Sequence, residues 1–171
     1  MTAPACGPAG AQPRPTYVTV VWALLLVLGA FFLFAVASDL AADARTGLPN
    51  DHLGTFKSVA GMSWTLAQGR GHGVTNYITL LEVAYAFHEL VFALLFLIIV
   101  AIPFRQRRLW AWWACWAVQI ANVAYLLTFG VHDSSILYRA LIAALALPVL
   151  LLIAAPWFFG DRIRAETVMS A

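Results

Sequence analysis

Charged side chains are scarce in this sequence. Only 11% of its 171 residues are Asp, Glu, Lys or Arg, whereas 63% are hydrophobic, and the mean hydropathy is +0.83. So few charges do not suffice to coat the surface of a soluble globule of this size. The composition therefore excludes a soluble domain and predicts a protein of the lipid bilayer.

Cysteine is also rare, with Cys6 and Cys115 as the two examples. The first lies in the predicted amino-terminal tail and the second inside a predicted spanning helix, so we expect no disulfide between them. The sequence has no C-x-x-C pair and no paired Cys/His spacing, which argues against thiol redox chemistry and a zinc site. Glycine-rich phosphate-binding motifs are absent as well, so nothing predicts a cofactor, a metal or a nucleic-acid partner.

Four segments are apolar over the roughly 20 residues that a membrane-spanning helix needs. They are residues 17–37, 77–104, 109–129 and 138–159. We therefore predict an all-α integral membrane protein with a single four-helix transmembrane domain over residues 17–160 and membrane lipids around it. The proline-rich residues 1–16 are predicted to be a disordered cytoplasmic tail, and residues 161–171 a second cytoplasmic tail.

The first span ends in Ala35-Val36-Ala37, a small-residue pattern like that of a signal-peptide cleavage site. Its apolar run exceeds the roughly 7 to 15 residues usual in signal peptides, and one arginine rather than a cluster precedes it. We therefore expect the span to be retained.

The arginines predict the orientation, because Lys and Arg near helix ends favour the cytoplasmic side. Three of them lie in the short connection after the second span, at Arg105, Arg107 and Arg108. Most tryptophans fall near the same side of the membrane, as in an interfacial belt that anchors helices in lipid: Trp22, Trp110, Trp112, Trp113, Trp116 and Trp157. The pattern predicts a multi-pass protein of the cell membrane with both termini cytoplasmic.

The loop between the first two spans is predicted to be partly helical. The helical pattern of the first span continues until Gly47 and Pro49, which are stop signals. Several apolar residues then fall near a helical stripe: Leu53, Phe56, Val59, Ala60 and Leu66. We expect residues 51–68 to form an amphipathic segment at the outer interface or over the mouth of the bundle, with an irregular loop as the alternative.

Four polar residues share one face of the second span, because at 100° per residue Glu82, Tyr85, His88 and Glu89 fall in one sector. Glu89 lies about 18 Å from the outer end of this helix, near the middle of the membrane. An unpaired ionised acid at that depth costs at least ~2.5 kcal/mol. We therefore expect Glu89 to be protonated, hydrogen-bonded or in contact with a wet cavity.

Polar residues on neighbouring segments complete a predicted pocket. The third span places Gln119, Asn122 and Tyr125 at spacings of three residues, and Asp39 and Asp133 lie at the outer mouth. Gln119 and Asn122 have an alternative role as hydrogen-bonding contacts between helices. Histidines at positions 52, 72 and 132 are expected to be ordinary exposed residues.

These features leave three functions open. The leading one is a non-catalytic membrane or assembly protein whose polar pocket binds a small lipophilic ligand or a helix of another membrane protein. The second is an acid/base enzyme for a lipophilic, isoprenoid-like substrate, such as a terpene cyclase or isomerase. In that scheme Glu89 is the general acid, Glu82 a base or its partner, and His88 a further catalytic candidate. The third is proton-coupled transport by an oligomer.

Overall fold

The computed structural model describes the backbone of residues 15–169 and the side chains of residues 15–160. Six α-helices follow one another along these residues: α1 (Thr16–Thr46), α2 (His52–Ala60), α3 (Trp64–Arg70), α4 (His72–Ile99), α5 (Leu109–Tyr125) and α6 (Ser134–Met169). A π-helical turn continues α4 over Val100–Phe104, and another continues α5 over Leu126–Gly130. Nearly all of the predicted amino-terminal tail lies outside the described residues, as do the side chains of the carboxyl-terminal tail.

Four helical segments are long and apolar enough to cross a membrane, which confirms the predicted all-α membrane protein. They are Thr16–Thr46, His72–Phe104, Leu109–Gly130 and Ser134–Gly160. The predicted stop after the first span is also confirmed, at Gly47. This residue caps α1 with φ of 77°, and its N–H donates to the Asp43 carbonyl at 2.9 Å. Glycine adopts that left-handed conformation without steric penalty.

The four spanning helices form a bundle with two different ends. α1 packs along α4 and α6, and α6 packs along α5, whereas α4 and α5 have fewer contacts with each other. We call the end with residues 105–108 the turn end, and the end that carries α2 and α3 the loop end. Fully buried apolar side chains fill the turn end: Leu25, Phe96, Val100, Phe104, Cys115, Leu147 and Leu151.

The tryptophans at the turn end divide between the outer surface and the core. Trp110 and Trp113 are more than half exposed, which fits an interfacial belt. Trp112 is instead buried, and its indole N–H donates to the Leu151 carbonyl at 2.9 Å. Lipid anchoring is therefore the wrong role for Trp112, because its side chain joins α5 to α6.

The segment between α1 and α4 is fixed to the bundle by hydrogen bonds from side chains to the main chain. Trp64 and Gln68 both donate to the Thr46 carbonyl, at 2.8 and 3.2 Å. Thr79 on α4 donates its hydroxyl to the Gly47 carbonyl at 2.7 Å. The predicted partly helical loop is confirmed, and it packs against the loop end of the bundle.

The face that α2 turns to the protein is polar. His52 and Thr55 are buried, whereas Leu53 and Val59 are exposed. Of the two predicted placements of the apolar stripe, packing over the mouth of the bundle is therefore wrong for Leu53 and Val59, whereas their exposure agrees with a place at the outer interface. The physical reason is that the bundle offers a polar partner to His52, while the apolar side chains remain available to the headgroup boundary of a bilayer.

Candidate functional site

The polar face of α4 serves two neighbouring groups of contacts. Tyr85, His88 and Glu89 line a cavity in the loop-end half of the bundle. Residues three, four and seven apart lie on the same face of a helix, so Glu82 lies above them, nearer the loop end. Its carboxylate contacts α2 instead of the cavity, at His52. Within the cavity wall, the Tyr85 hydroxyl and the Glu89 carboxyl lie one helical turn apart and interact with each other.

The cavity has a volume of about 370 Å³ and is bounded by all four spanning helices. Because neighbouring helices run in opposite directions, the depth of each lining residue follows from its position along its helix. The bottom, towards the middle of the bundle, is apolar and largely aromatic: Phe31, Phe32, Phe92, Ala121 and Ala143. The top, towards α2, is polar: Asp39, Asp51, Tyr125 and Arg139. The cavity is therefore amphipathic along the bundle axis.

The cavity also reaches the flank of the bundle. Tyr85 and His88 on α4 and Ala121 on α5 line the cavity and are at the same time exposed. These residues border the boundary between α4 and α5, where the two helices have relatively few contacts. Since both helices are membrane-spanning candidates, this opening faces the region that lipid would occupy.

His52 connects α2 to the polar faces of α4 and α5. Its Nδ1 lies 2.9 Å from Glu82 Oε2, and its Nε2 lies 3.4 Å from the Tyr125 hydroxyl. The imidazole also stacks on Phe129, with ring centroids 4.6 Å apart and an interplanar angle of 12°. Because a carboxylate only accepts, Nδ1 carries a proton and donates to Glu82. A chain of carboxylate, imidazole and phenol thus ends at Tyr125 in the cavity wall.

Two opposing effects act on the charge of His52. Burial disfavours the imidazolium, whereas the hydrogen bond and the negative charge of Glu82 favour it, with further help from Asp51 and Asp39. The favourable interactions prevail, so the pKa of His52 lies above its ordinary value of 6.5. The expectation that His52 is an ordinary exposed histidine is therefore wrong, while His72 and His132 are exposed as predicted.

Acidic groups are concentrated at the top of the cavity. Asp39 lies within electrostatic range of Asp51, Glu89 and Asp43. Asp43 follows Asp39 by one helical turn and is buried, and neither of its carboxylate oxygens has a hydrogen-bond partner among the described residues. Buried polar groups in proteins are usually paired. Without a positively charged partner or bound protons, these acids would therefore lower the stability of the folded protein.

The two amides of the predicted pocket behave differently. Gln119 donates its side-chain N–H to the Ala144 carbonyl on α6 at 2.8 Å, and it does not line the cavity. Asn122 does line the cavity, and its Nδ2 is buried without a partner in the described part of the chain. Gln119 thus serves helix packing, whereas Asn122 presents an amide at the cavity wall.

Asp133 lies outside the cavity wall, at the start of α6. Its Oδ1 accepts hydrogen bonds from the Ser135 hydroxyl at 2.7 Å and from the Ser135 N–H at 2.8 Å. These hydrogen bonds favour the ionised carboxylate, so the pKa of Asp133 lies below its ordinary value. The contacts are those of a helix cap.

The structure adds residues that the sequence pattern did not place at the site. His52, Asp51 and Arg139 join it from outside the regular polar faces of α4 and α5. The one available signal was that His52 and Asp51 directly follow the stop at Gly47 and Pro49, where the chain turns back towards the bundle. Among the described residues, no group of three or more His, Cys, Asp or Glu side chains has an arrangement that could hold a metal ion.

The chain matches no protein-family model, no curated protein and no solved structure.

Proposed function

We propose that this membrane protein binds a small, largely apolar molecule in the amphipathic cavity of its loop-end half. The observation that carries the proposal is a cavity of about 370 Å³ with aromatic and alanine walls and few polar groups. Ligand sites typically have this composition and a volume of roughly 300 to 1,000 Å³. The flank between α4 and α5 provides an entry for a ligand dissolved in the bilayer.

A partner helix is the less suitable occupant. An α-helix with side chains is about 10 to 12 Å across, and the cavity is already enclosed by the four spanning helices of this chain. Transport through the interior of a single bundle has little support either. The described turn-end core below the cavity consists of buried apolar side chains, so the cavity is closed towards that end.

The proposed orientation places the loop end outside the cell and both termini in the cytoplasm. Its support is the cluster Arg105, Arg107 and Arg108 at the turn end. The ligand then enters from the outer half of the membrane.

Photolabelling tests the binding function. We expect an alkyl alcohol that carries a diazirine to label cavity residues of the protein in lipid nanodiscs, with adducts read by mass spectrometry. Ala35→Phe fills the cavity and should abolish these adducts, because Ala35 lines it. Ala37→Phe is the matched control, since Ala37 is exposed on the same helix and does not line the cavity. Labelling of the outer surface alone, unchanged in Ala35→Phe, would contradict the proposal.

Acid/base catalysis on the bound molecule is the second candidate. One observation favours it: the chain from Glu82 through His52 to Tyr125 ends at the cavity wall. A carboxylate fixes the tautomer of a histidine and stabilises its charged form, as in catalytic triads. A neutral His52 would accept the Tyr125 proton at Nε2, and Glu89 with Tyr85 would supply a second proton-transfer group. Tyr125→Phe and Glu89→Gln should each abolish turnover even at saturating substrate, whereas turnover in both variants would exclude this role.

A further inference from the structure

We infer that the molecule bound in this cavity carries a positive charge, as an amine or quaternary ammonium joined to a small apolar body. The inference rests on the proposed binding function and adds the chemical class of the ligand. It comes from the charge, the aromatic walls and the polarity gradient of the cavity together.

Carboxyl groups predominate among the ionisable groups that line the cavity. Asp39, Asp51 and Glu89 are acids, and Arg139 is the guanidinium among the lining residues. Arg139 is exposed and within electrostatic range of Asp133, so its charge is shared with a carboxylate outside the cavity. A low-dielectric pocket with this excess of acids favours cations or protons over anions.

His88, the imidazole in the cavity wall, does not reverse the preference for cations. His88 Nδ1 lies 2.6 Å from the Ala84 carbonyl, which accepts its proton. A neutral His88 therefore has a lone pair on Nε2. That nitrogen is a hydrogen-bond acceptor for an ammonium N–H.

Aromatic rings supply the second contribution to cation binding. The negative face of an aromatic ring attracts a cation, and the attraction increases when water is excluded. Five aromatic side chains line this cavity: Phe31, Phe32, Tyr85, Phe92 and Tyr125. Tyr85 and Tyr125 lie at the level of the acids, whereas the three Phe rings lie deeper.

The gradient along the bundle axis sets the orientation of the ligand. Asp39 and Asp51 lie at the top near α2, and Phe92 with Ala143 lies at the bottom. An amphiphile would place its ammonium group towards α2 and its apolar body towards the middle of the membrane. The polarity gradient of the cavity thus complements one cationic head and one short apolar body.

Three probes with the same alkyl chain test the inference in lipid nanodiscs: an alkyl trimethylammonium, its neutral tert-butyl isostere and an alkyl sulfonate. We expect the ammonium to bind about tenfold or more tightly than the isostere, since the two differ only in charge. Equal or tighter binding of the isostere would overturn the charge inference and leave the proposed function intact. Tighter binding of the sulfonate would also overturn the inference and assign the selectivity to Arg139. Saturable binding of none of the probes would contradict the proposed function itself.

Variants of the lining residues test which side chains favour the ammonium over its neutral isostere. Glu89→Gln and Asp39→Asn should each reduce the ratio of ammonium to isostere affinity, because each removes a carboxylate from the wall while preserving its shape. Tyr85→Leu should weaken ammonium binding, because Tyr85 lines the polar part of the cavity, whereas Tyr77→Leu on the same helix should not, since Tyr77 is exposed and does not line the cavity. An unchanged ratio in both acid variants would show that the carboxylates do not recognise the charge.

Discussion

Gln119 on α5 donates its side-chain N–H to the Ala144 carbonyl on α6, at 2.8 Å. In a regular α-helix, this carbonyl would accept from the N–H of residue 148. That residue is Pro148, which has no N–H to donate. The amide of one spanning helix thus replaces the hydrogen bond that proline removes from another.

This relationship predicts a coupling between positions 119 and 148. Gln119→Leu should lower stability by about 1 kcal/mol, because the buried Ala144 carbonyl then lacks a donor. In a Pro148→Ala background the same change should cost close to nothing, since the new N–H at position 148 bonds to Ala144. The measurement is a double-mutant cycle of unfolding in detergent. Equal costs in both backgrounds would show that Gln119 contributes by packing alone.

The pair His52–Glu82 predicts a pH dependence of stability. The pKa of His52 is raised above 6.5 in the folded protein, so the folded state holds this proton more tightly than the unfolded state. The resulting stabilisation is complete below pH 6.5 and is lost as the pH rises through the folded pKa. The transition temperature in detergent should therefore fall as the pH rises above about 6.5 and through the folded pKa of His52.

His52→Asn should remove most of this slope, because asparagine does not titrate. His132→Asn is the matched control, since His132 is exposed. A slope that is the same in His52→Asn as in the wild type would assign the pH dependence to other groups.

Local signals in the sequence predicted most of the fold. The four spans follow from length and hydropathy, and the end of α1 follows from Gly47 and Pro49, because each of these signals lies within one segment of chain. Helical periodicity likewise placed Tyr85, His88 and Glu89 on one face, and the structure has them in one cavity wall. Each of these features depends on residues within a single helix or at its end.

The role of His52 depends on a contact that periodicity does not encode. Its partner Glu82 lies thirty positions along the chain, on a different helix. The apolar stripe of α2 lies on the face opposite His52, because in a membrane protein an apolar face can turn to lipid rather than to the protein core. The role of Gln119 also depends on a different helix, because its partner is the Ala144 carbonyl that Pro148 on α6 leaves without a donor.

Close packing between α2 and the start of α6 predicts the effect of a single methyl group. A Cβ at Gly54 would overlap the Asp133 carboxylate, which accepts two hydrogen bonds from Ser135. Gly54→Ala should therefore lower stability by about 1 to 3 kcal/mol through overpacking, despite the better helix propensity of alanine. Thermal unfolding in detergent measures the change.

Two further variants separate this steric effect from helix propensity. Gly69→Ala on α3 should be neutral or stabilising, because no neighbouring atom lies within 4 Å of its added Cβ. Gly54→Ala should cost less in an Asp133→Ser background, where a shorter side chain still caps α6. An equal cost in the presence and absence of the Asp133 carboxylate would exclude the proposed overlap.

The arginine-rich connection predicts opposite accessibility for the two ends of the bundle. Gln106 at the turn end and Lys57 on α2 are both exposed, so a cysteine at either position should react once reagent reaches it. In a Cys6→Ser background, an impermeant maleimide should label Lys57→Cys in intact cells and Gln106→Cys only after permeabilisation. Native Cys115 is buried and should contribute little background. Labelling of Gln106→Cys but not Lys57→Cys in intact cells would reverse the orientation, and the cavity would then open in the cytoplasmic half of the membrane.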